Sequence, residues 1–328
     1  SLYLEPLSTV EINNDIVAQQ EQEIEEVHRI LLALSDAFRV RGADLARTIE
    51  AATELDVLQA RARFSNSVDG VEPALSTDGA LELQAARHPL VRNAVPVPIK
   101  IPPPATCLLI TGPNTGGKTV ALKTAGLFAL MAQSGLRIPA AAGSRLPVFR
   151  SVFADIGDEQ SIDANLSTFS GHISNIANMD RGLQTPALVL LDEVGSGTDP
   201  IEGGALGVAV VDRFRQRGAI VIATSHYDAL KTYASGSPSV ACAAFGFEPD
   251  TFAPTYQLVY GSPGRSLAIE IASRLGLPGE VVAAARANVG AREAQVSEQL
   301  ARLDDEIRAT ARERDALARE RGAVSAAT

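Results

Sequence analysis

The sequence predicts an α/β protein built on a mainly parallel sheet with helices on both faces. Three observations predict it. Residues 106–110, 187–191 and 219–224 are short apolar runs of strand length. Helix-forming stretches lie between them, the first over residues 119–134. Runs that are apolar along their whole length belong to strands buried on both faces, as in a parallel sheet covered by helices.

The elements follow in order. Residues 13–63 read as two helices: Ile16, Ile24, Val27, Leu31 and Leu34 keep a helical spacing, Gly42 interrupts it, and Leu45, Ile49, Ala52, Leu55 and Leu58 resume it. An antiparallel helical pair is expected. Residues 65–80 read as a weakly patterned loop, and Pro96, Pro98 and the prolines at 102–104 punctuate the approach to the first strand. The sheet domain then fills residues 76–279, after a helical segment over residues 1–75. From residue 280 the composition changes: no proline to residue 322, with Ala, Arg and Glu abundant. Residues 280–328 are expected to carry one long projecting helix. It reads as a surface helix or as the lead into a coiled coil, although Ala and Arg at several seam positions disfavour a strong one.

Composition excludes some functions. Apolar residues make up 46% of the 328 and charged residues 21%, which is ordinary for a soluble globular protein. No apolar run approaches the ~18 residues of a membrane span. No membrane partner and a cytoplasmic location are expected. The net charge of −10 argues against a broad nucleic-acid-binding surface on this stretch. Cys107 and Cys242 read as buried thiols, since two cysteines make neither a disulfide framework nor a zinc site. The chain begins at Ser1 rather than Met, which reads as a fragment of a longer protein.

Three motifs carry the chemistry. Gly112, Pro113, Asn114, Thr115, Gly116, Gly117, Lys118 and Thr119 fit GxxxxGK[ST] between a strand and a helix, the setting of a phosphate-binding P-loop. Glycines let backbone N–H groups wrap a phosphate chain, and the helix N-terminus favours an anion. Lys118 would reach the β- and γ-phosphates, and Thr119 would ligate Mg²⁺. Second, the apolar run 188–191 ends in Asp192 and Glu193, a Walker B pattern. Paired acids at one strand end repel without a cation. Asp192 would hold Mg²⁺ and Glu193 would polarise the attacking water as general base. Third, His226 follows the next strand in ATSHY, where an imidazole can sense the γ-phosphate. The fold class thus becomes a P-loop NTPase with ATP and Mg²⁺ as ligands.

TGPNTGGKT, LDEVGSGTDP and ATSHY resemble the ATPase domain of the MutS family, a branch of the ABC-type ATPases. Asn114 within the P-loop and the Arg87-His88-Pro89 element also resemble that family. DIGDEQSIDANLSTFSGHI and GSPGRSLAIEIASRLGLP are most similar to the second bacterial MutS paralogue branch, whose members carry a C-terminal Smr nuclease domain.

The resemblance covers nearly the whole chain and implies further roles. Asn114 helps position the phosphates, and Val120 completes the phosphate-binding segment. Ser167, Thr168 and Ser170 correspond to a signature loop reaching the partner's γ-phosphate across a homodimer. Alone, the same segment reads as a helix N-cap. Tyr256 falls where an aromatic stacks on adenine, with Val95 and Val97 as the opposite wall; packing of Tyr256 within the sheet is an equal reading. His88 either braces its loop or touches nucleotide. Residues 1–63 resemble the family's helical core and lever. The mismatch-recognition, connector, clamp and Smr nuclease parts do not match anything in this chain, so neither nuclease activity nor tight clamp-like DNA binding is expected of it.

In that branch, ATP-driven dimer closure is tied to restraint of homologous recombination and to rescue of stalled, collided ribosomes. Contacts to DNA or ribosome would come from segments outside this chain. Three other functions fit the sequence less well. A transporter-coupled ABC ATPase should carry an LSGGQ-type signature, and none is found. An SMC-like protein needs a long coiled coil between its ATPase halves, and Ala187 lies only 68 positions after Thr119. A non-hydrolysing nucleotide-binding scaffold has no use for Glu193 and His226 together.

Overall fold

The computed structural model describes residues 6–112, 116–157, 168–248, 253–261, 264 and 268–288, and in the tail residues 302, 306, 309, 310 and 313. Statements below concern these residues. The chain divides into two units, residues 1–63 and 64–328.

The first unit is helical. α1 spans Leu7–Val40, and α2 spans Gly42–Ser67 and runs into the second unit. The expected helical pair is not formed. Only Arg41 separates the helices, whereas an antiparallel turn takes two to five residues. Their apolar stripes stay open: Ile24 is 69% exposed, Ile49 65% and Leu55 67%. Helical spacing correctly marked the helices but said nothing of what their faces meet. Residues 64–67 finish α2, and residues 68–75 lead into the smaller sheet. Gly70 N donates to Ser65 O at the end of α2, and Val71 bridges to Ile138.

The second unit holds two sheets. The larger has six strands in the order β10-β9-β4-β8-β7-β6. These are β4 (Cys107–Thr111), β6 (Ser151–Asp155), β7 (Ala187–Leu191), β8 (Ala219–Ser225), β9 (Val240–Phe247) and β10 (Pro254–Tyr260). All neighbours pair in parallel except β9 and β10. The mainly parallel sheet read from the apolar runs is therefore present. The smaller sheet, β1 (Ala74–Leu75), β5 (Arg145–Leu146), β2 (Leu81–Ala86) and β3 (Val97–Ile101), occupies ground read in part as loop.

Alternation along the central strands sorts the core into two layers. Leu108, Ile110, Leu188, Leu190 and Ile222 point to one face, where α3 (Lys118–Gln133) lies between the two sheets with Leu122 and Phe128 fully buried. Cys107, Leu109, Val189, Leu191 and Val221 point to the other. There α4 (Thr168–Gly182), α5 (Pro200–Gln216) and α6 (Asp228–Gly236) cover them with Met179, Phe214 and Leu230. Burial pushes the Cys107 thiol up to about 12, the inert behaviour expected of a core cysteine.

Helix ends follow local chemistry. α3 stops in a Schellman arrangement, with Gly135 at φ 72° and Leu136 N donating to Met131 O. α5 starts at Asp199, whose carboxylate accepts from Ile201 N at 2.9 Å and Glu202 N at 3.2 Å, with Pro200 at its first position. Two helices follow the sheet, α7 (Ala268–Arg274) and α8 (Gly279–Asn288). The long tail helix expected beyond residue 288 lies mostly outside the described residues; the five described there are helical. No described helix is long and apolar enough to cross a membrane.

Phe128 is 0% exposed between the sheets and Leu130 is 50% exposed. Phe128→Ala should therefore cost about 3–5 kcal/mol in urea unfolding, and Leu130→Ala within about 0.5 kcal/mol.

Candidate functional site

The site lies at the carboxyl ends of β4, β7 and β8, the usual ligand edge of an open parallel sheet. Register aligns these ends: Thr111 pairs with Ser225 and Leu191 with Ala223. Each strand thus delivers its next residues to the same place.

β4 runs into Gly112, φ 115°, and a turn at Gly116 and Gly117, the latter at φ 98°, leads into α3. That left-handed conformation at the helix cap strains any residue with a Cβ, and a Cβ at Gly117 would also meet Tyr256 at 3.5 Å. The turn carries Lys118 inward. Its side chain is 1% exposed, and Nζ donates to Gly112 O at 2.6 Å and pairs with Glu193 Oε1 at 2.9 Å. Pro113, Asn114 and Thr115, singled out in the sequence, lie outside the described residues.

β7 delivers the two acids. Asp192 is 6% exposed, accepts from Thr119 Oγ1 at 2.8 Å, and also accepts from Thr224 Oγ1. Glu193 N donates to the same Thr224 hydroxyl at 2.8 Å. One hydroxyl from β8 therefore orders both acids. Glu193 sits at φ 49°, a costly backbone for a residue with a side chain. The loop beyond it turns through Gly195, φ 85°, where a Cβ would lie 2.1 Å from Gly203 O of α5.

β8 delivers His226, whose Nδ1 lies 2.6 Å from Glu193 Oε2. Burial pushes the Glu193 carboxyl up. The hydrogen bond with His226 and the Lys118 ammonium outweigh it and hold it down to about 2. Lys118, Thr119, Asp192, Glu193 and His226 were all read from sequence, and the structure brings them together. Their mutual bonds were not foreseen: the lysine grips the glutamate. Thr224 was missed as a hub. It stands one residue inside the strand end, and nothing in its residue type separates it from an ordinary strand threonine.

A cavity of about 310 Å³ adjoins this cluster, within the size range of small-molecule sites. His88, Val95, Val97, Gly117, Val120 and Tyr256, all named from sequence, line it, together with Val91, Asn93, Thr124 and Phe245. Phe245 was missed because the small-residue run of β9 carries no mark of a site. His88 does brace its loop: Nδ1 accepts from Leu90 N at 3.3 Å. Burial, then the positive charge of Lys123, lower its pKa. Tyr256 is both a strand residue and a cavity wall. It lies in β10 at φ 54°, where a register shift breaks the pairing with β9, and is 42% exposed. Tyr260 fixes that wall, accepting from Lys100 N at 2.7 Å and donating to Pro98 O at 3.1 Å. Of the loop residues read as reaching a partner, Ser170 is exposed in the first turn of α4, Thr168 opens that helix, and Ser167 lies outside the described residues.

Fold and site together define a doubly covered, mainly parallel α/β protein with a lysine–acid–histidine cluster at its strand ends, beside an apolar cavity. Residues 108–292 match the family MutS domain V, and the chain belongs to the MutS family. Among its relatives is the protein named Endonuclease MutS2 of Pelotomaculum thermopropionicum, 48% identical over 287 residues, covering 87% of this chain and 37% of that protein. The protein of the same name from Geobacillus kaustophilus is 47% identical over 293 residues, covering 89% and 37%. That of Symbiobacterium thermophilum is 48% identical over 287 residues, covering 87% and 36%. The chain thus spans under two fifths of the length of these relatives.

The depressed pKa of Glu193 carries a signed consequence for stability. A carboxyl held low contributes stability above the ordinary carboxylate range, and loses it as pH falls toward about 2. Wild type should therefore exceed Glu193→Gln in Tm at neutral pH. The difference should shrink as pH is lowered from about 5 to about 3. Thermal unfolding of both proteins across that range checks this.

Proposed function

We propose that this chain is a Mg²⁺-dependent, ATP-binding and ATP-hydrolysing MutS-type P-loop module that works as a homodimer. The observation carrying this reading is buried Lys118, set at the start of α3 with Asp192 and Glu193 against it and the cavity beside it. A buried ammonium aimed at a glycine-rich turn is placed for a phosphate chain. Membership of MutS domain V supports the same reading.

Each residue then has a task. Gly112, Asn114, Thr115, Gly116 and Gly117 present backbone N–H groups to the phosphates, and Pro113, which has none, shapes the turn. Lys118 exchanges Glu193 for the β- and γ-phosphates. Adenine enters the cavity against Tyr256, with Val95 and Val97 opposite and Val120 and His88 at its margin. The hydroxyl of Thr119 and the carboxylate of Asp192 fit Mg²⁺, a hard cation that takes one or two protein oxygens and completes its shell with phosphates and water. Bound there, Mg²⁺ neutralises charge on the phosphate oxygens.

Glu193 is the general base. At a pKa of about 2 it is a poor proton acceptor, since a base works best near the operating pH. Losing Lys118 to the phosphates removes one of the charges that depress it. The same event that binds nucleotide thus makes Glu193 more basic. His226, hydrogen-bonded to Glu193, would sense the γ-phosphate. Ser167, Thr168 and Ser170 reach the partner protomer's γ-phosphate, so that two composite sites form on closure. Coupling to DNA or ribosomes, in recombination or ribosome rescue, runs through parts of the longer protein.

Turnover and solution mass with Mg²⁺ and ATP test this. Wild type should hydrolyse ATP. Glu193→Gln should lose about 10²-fold or more of turnover and accumulate as an ATP-dependent dimer, while Lys118→Ala should lose nucleotide binding. Hydrolysis by a strict monomer at an undiminished rate would contradict the composite site. A wild type that binds no ATP would contradict the whole reading.

A further inference from the structure

We propose that Asp155 is a positioning residue for hydrolysis, tying α4 to the strand end that holds Asp192 and Glu193. The inference rests on the ATPase reading above. Asp155 closes β6 and is only 7% exposed. Its carboxylate is held entirely by one helix: Oδ2 lies 2.7 Å from His172 Nδ1, and Oδ1 accepts from Asn175 Nδ2 at 2.9 Å. His172 and Asn175 are three apart in α4, so they share a face. The backbone of Asp155 makes the other half of the tie, its carbonyl accepting from Asp192 N at 2.9 Å. A single residue therefore bonds α4 through its side chain and the Asp192 backbone through its main chain.

Packing does not call for this acid. β6 is an edge strand of the sheet, and a buried carboxylate needs partners that an apolar side chain would not. Its place explains it better. Asp155, His172, Glu193 and Ser196 line one crevice of about 10 Å³, the space of roughly one water. His172 of α4 therefore lines the same small crevice as the proposed base, Glu193. The first turn of that helix carries exposed Ser170. The tie lies on the α4 face of the sheet, and the cavity lies on the α3 face. Breaking the tie should consequently disturb hydrolysis and spare nucleotide binding.

Steady-state ATP hydrolysis by the whole chain tests this. His172→Ala should lower kcat about tenfold or more, since misplacement by an ångström costs up to about 10²-fold, and leave KM for ATP within about twofold. His172→Asn, whose amide N–H can reach the same carboxylate oxygen, should recover most of the loss. A merely structural role would not give that split with that rescue. If His172→Ala fails to fold, Asn175→Ala keeps the stronger bond and should show a smaller loss of kcat at unchanged KM. An unchanged kcat on an active wild type overturns the tie alone, as does a parallel rise in KM or a failure of His172→Asn to rescue. A folded wild type that does not turn over overturns the ATPase reading and the tie with it.

Discussion

The arrangement depends on one buried ion pair. Lys118 has almost no exposure, so its charge must be answered from within the protein, and Glu193 and the Gly112 carbonyl answer it. Removing one partner of a buried pair costs about 3–5 kcal/mol, because the other charge is left uncompensated. The pair binds the turn after β4 to the end of β7. It also holds the acid in a form unsuited to accepting a proton. On the proposed ATPase reading, the pair that stabilises the cluster is the one that nucleotide would have to exchange.

Bonds that do not involve Lys118 hold the rest of the cluster. Thr224 bonds both acids through its hydroxyl. Gly195 against Gly203 fixes where the chain goes after Glu193. On the α3 face, Tyr260 pins β10 to β3, the strands that carry Tyr256 and Val97 to the cavity lining. The two layers of the core therefore serve different ends. One shapes the cavity, and the other carries α4 and its link to Asp192.

What was legible in the sequence follows from where the physics is local. The apolar runs gave β4, β7 and β8 almost to the residue, because burial on both faces leaves no polar interruption. The turn at Gly112 to Thr119 and the acids at 192 and 193 were legible because their residue types are costly anywhere else. The smaller sheet was not: β2 alternates only loosely and β3 contains Pro98, so neither has a strand signature. β9 reads as small residues and β10 as an ordinary edge. The helical pair failed for a related reason, since periodicity marks a face but not its neighbour. Asp155 and Thr224 act through bonds to residues 17 and more positions away, a distance no local pattern reports.

The competition for Lys118 can be measured directly with a non-hydrolysable ATP analogue, by calorimetric titration of wild type and Glu193→Gln with Mg²⁺ present. If phosphates must draw Lys118 away from Glu193, the variant should bind the analogue more tightly, by about tenfold for each ~1.4 kcal/mol of pairing released. Equal or weaker binding by a folded Glu193→Gln protein would contradict the exchange on which the proposed cycle turns.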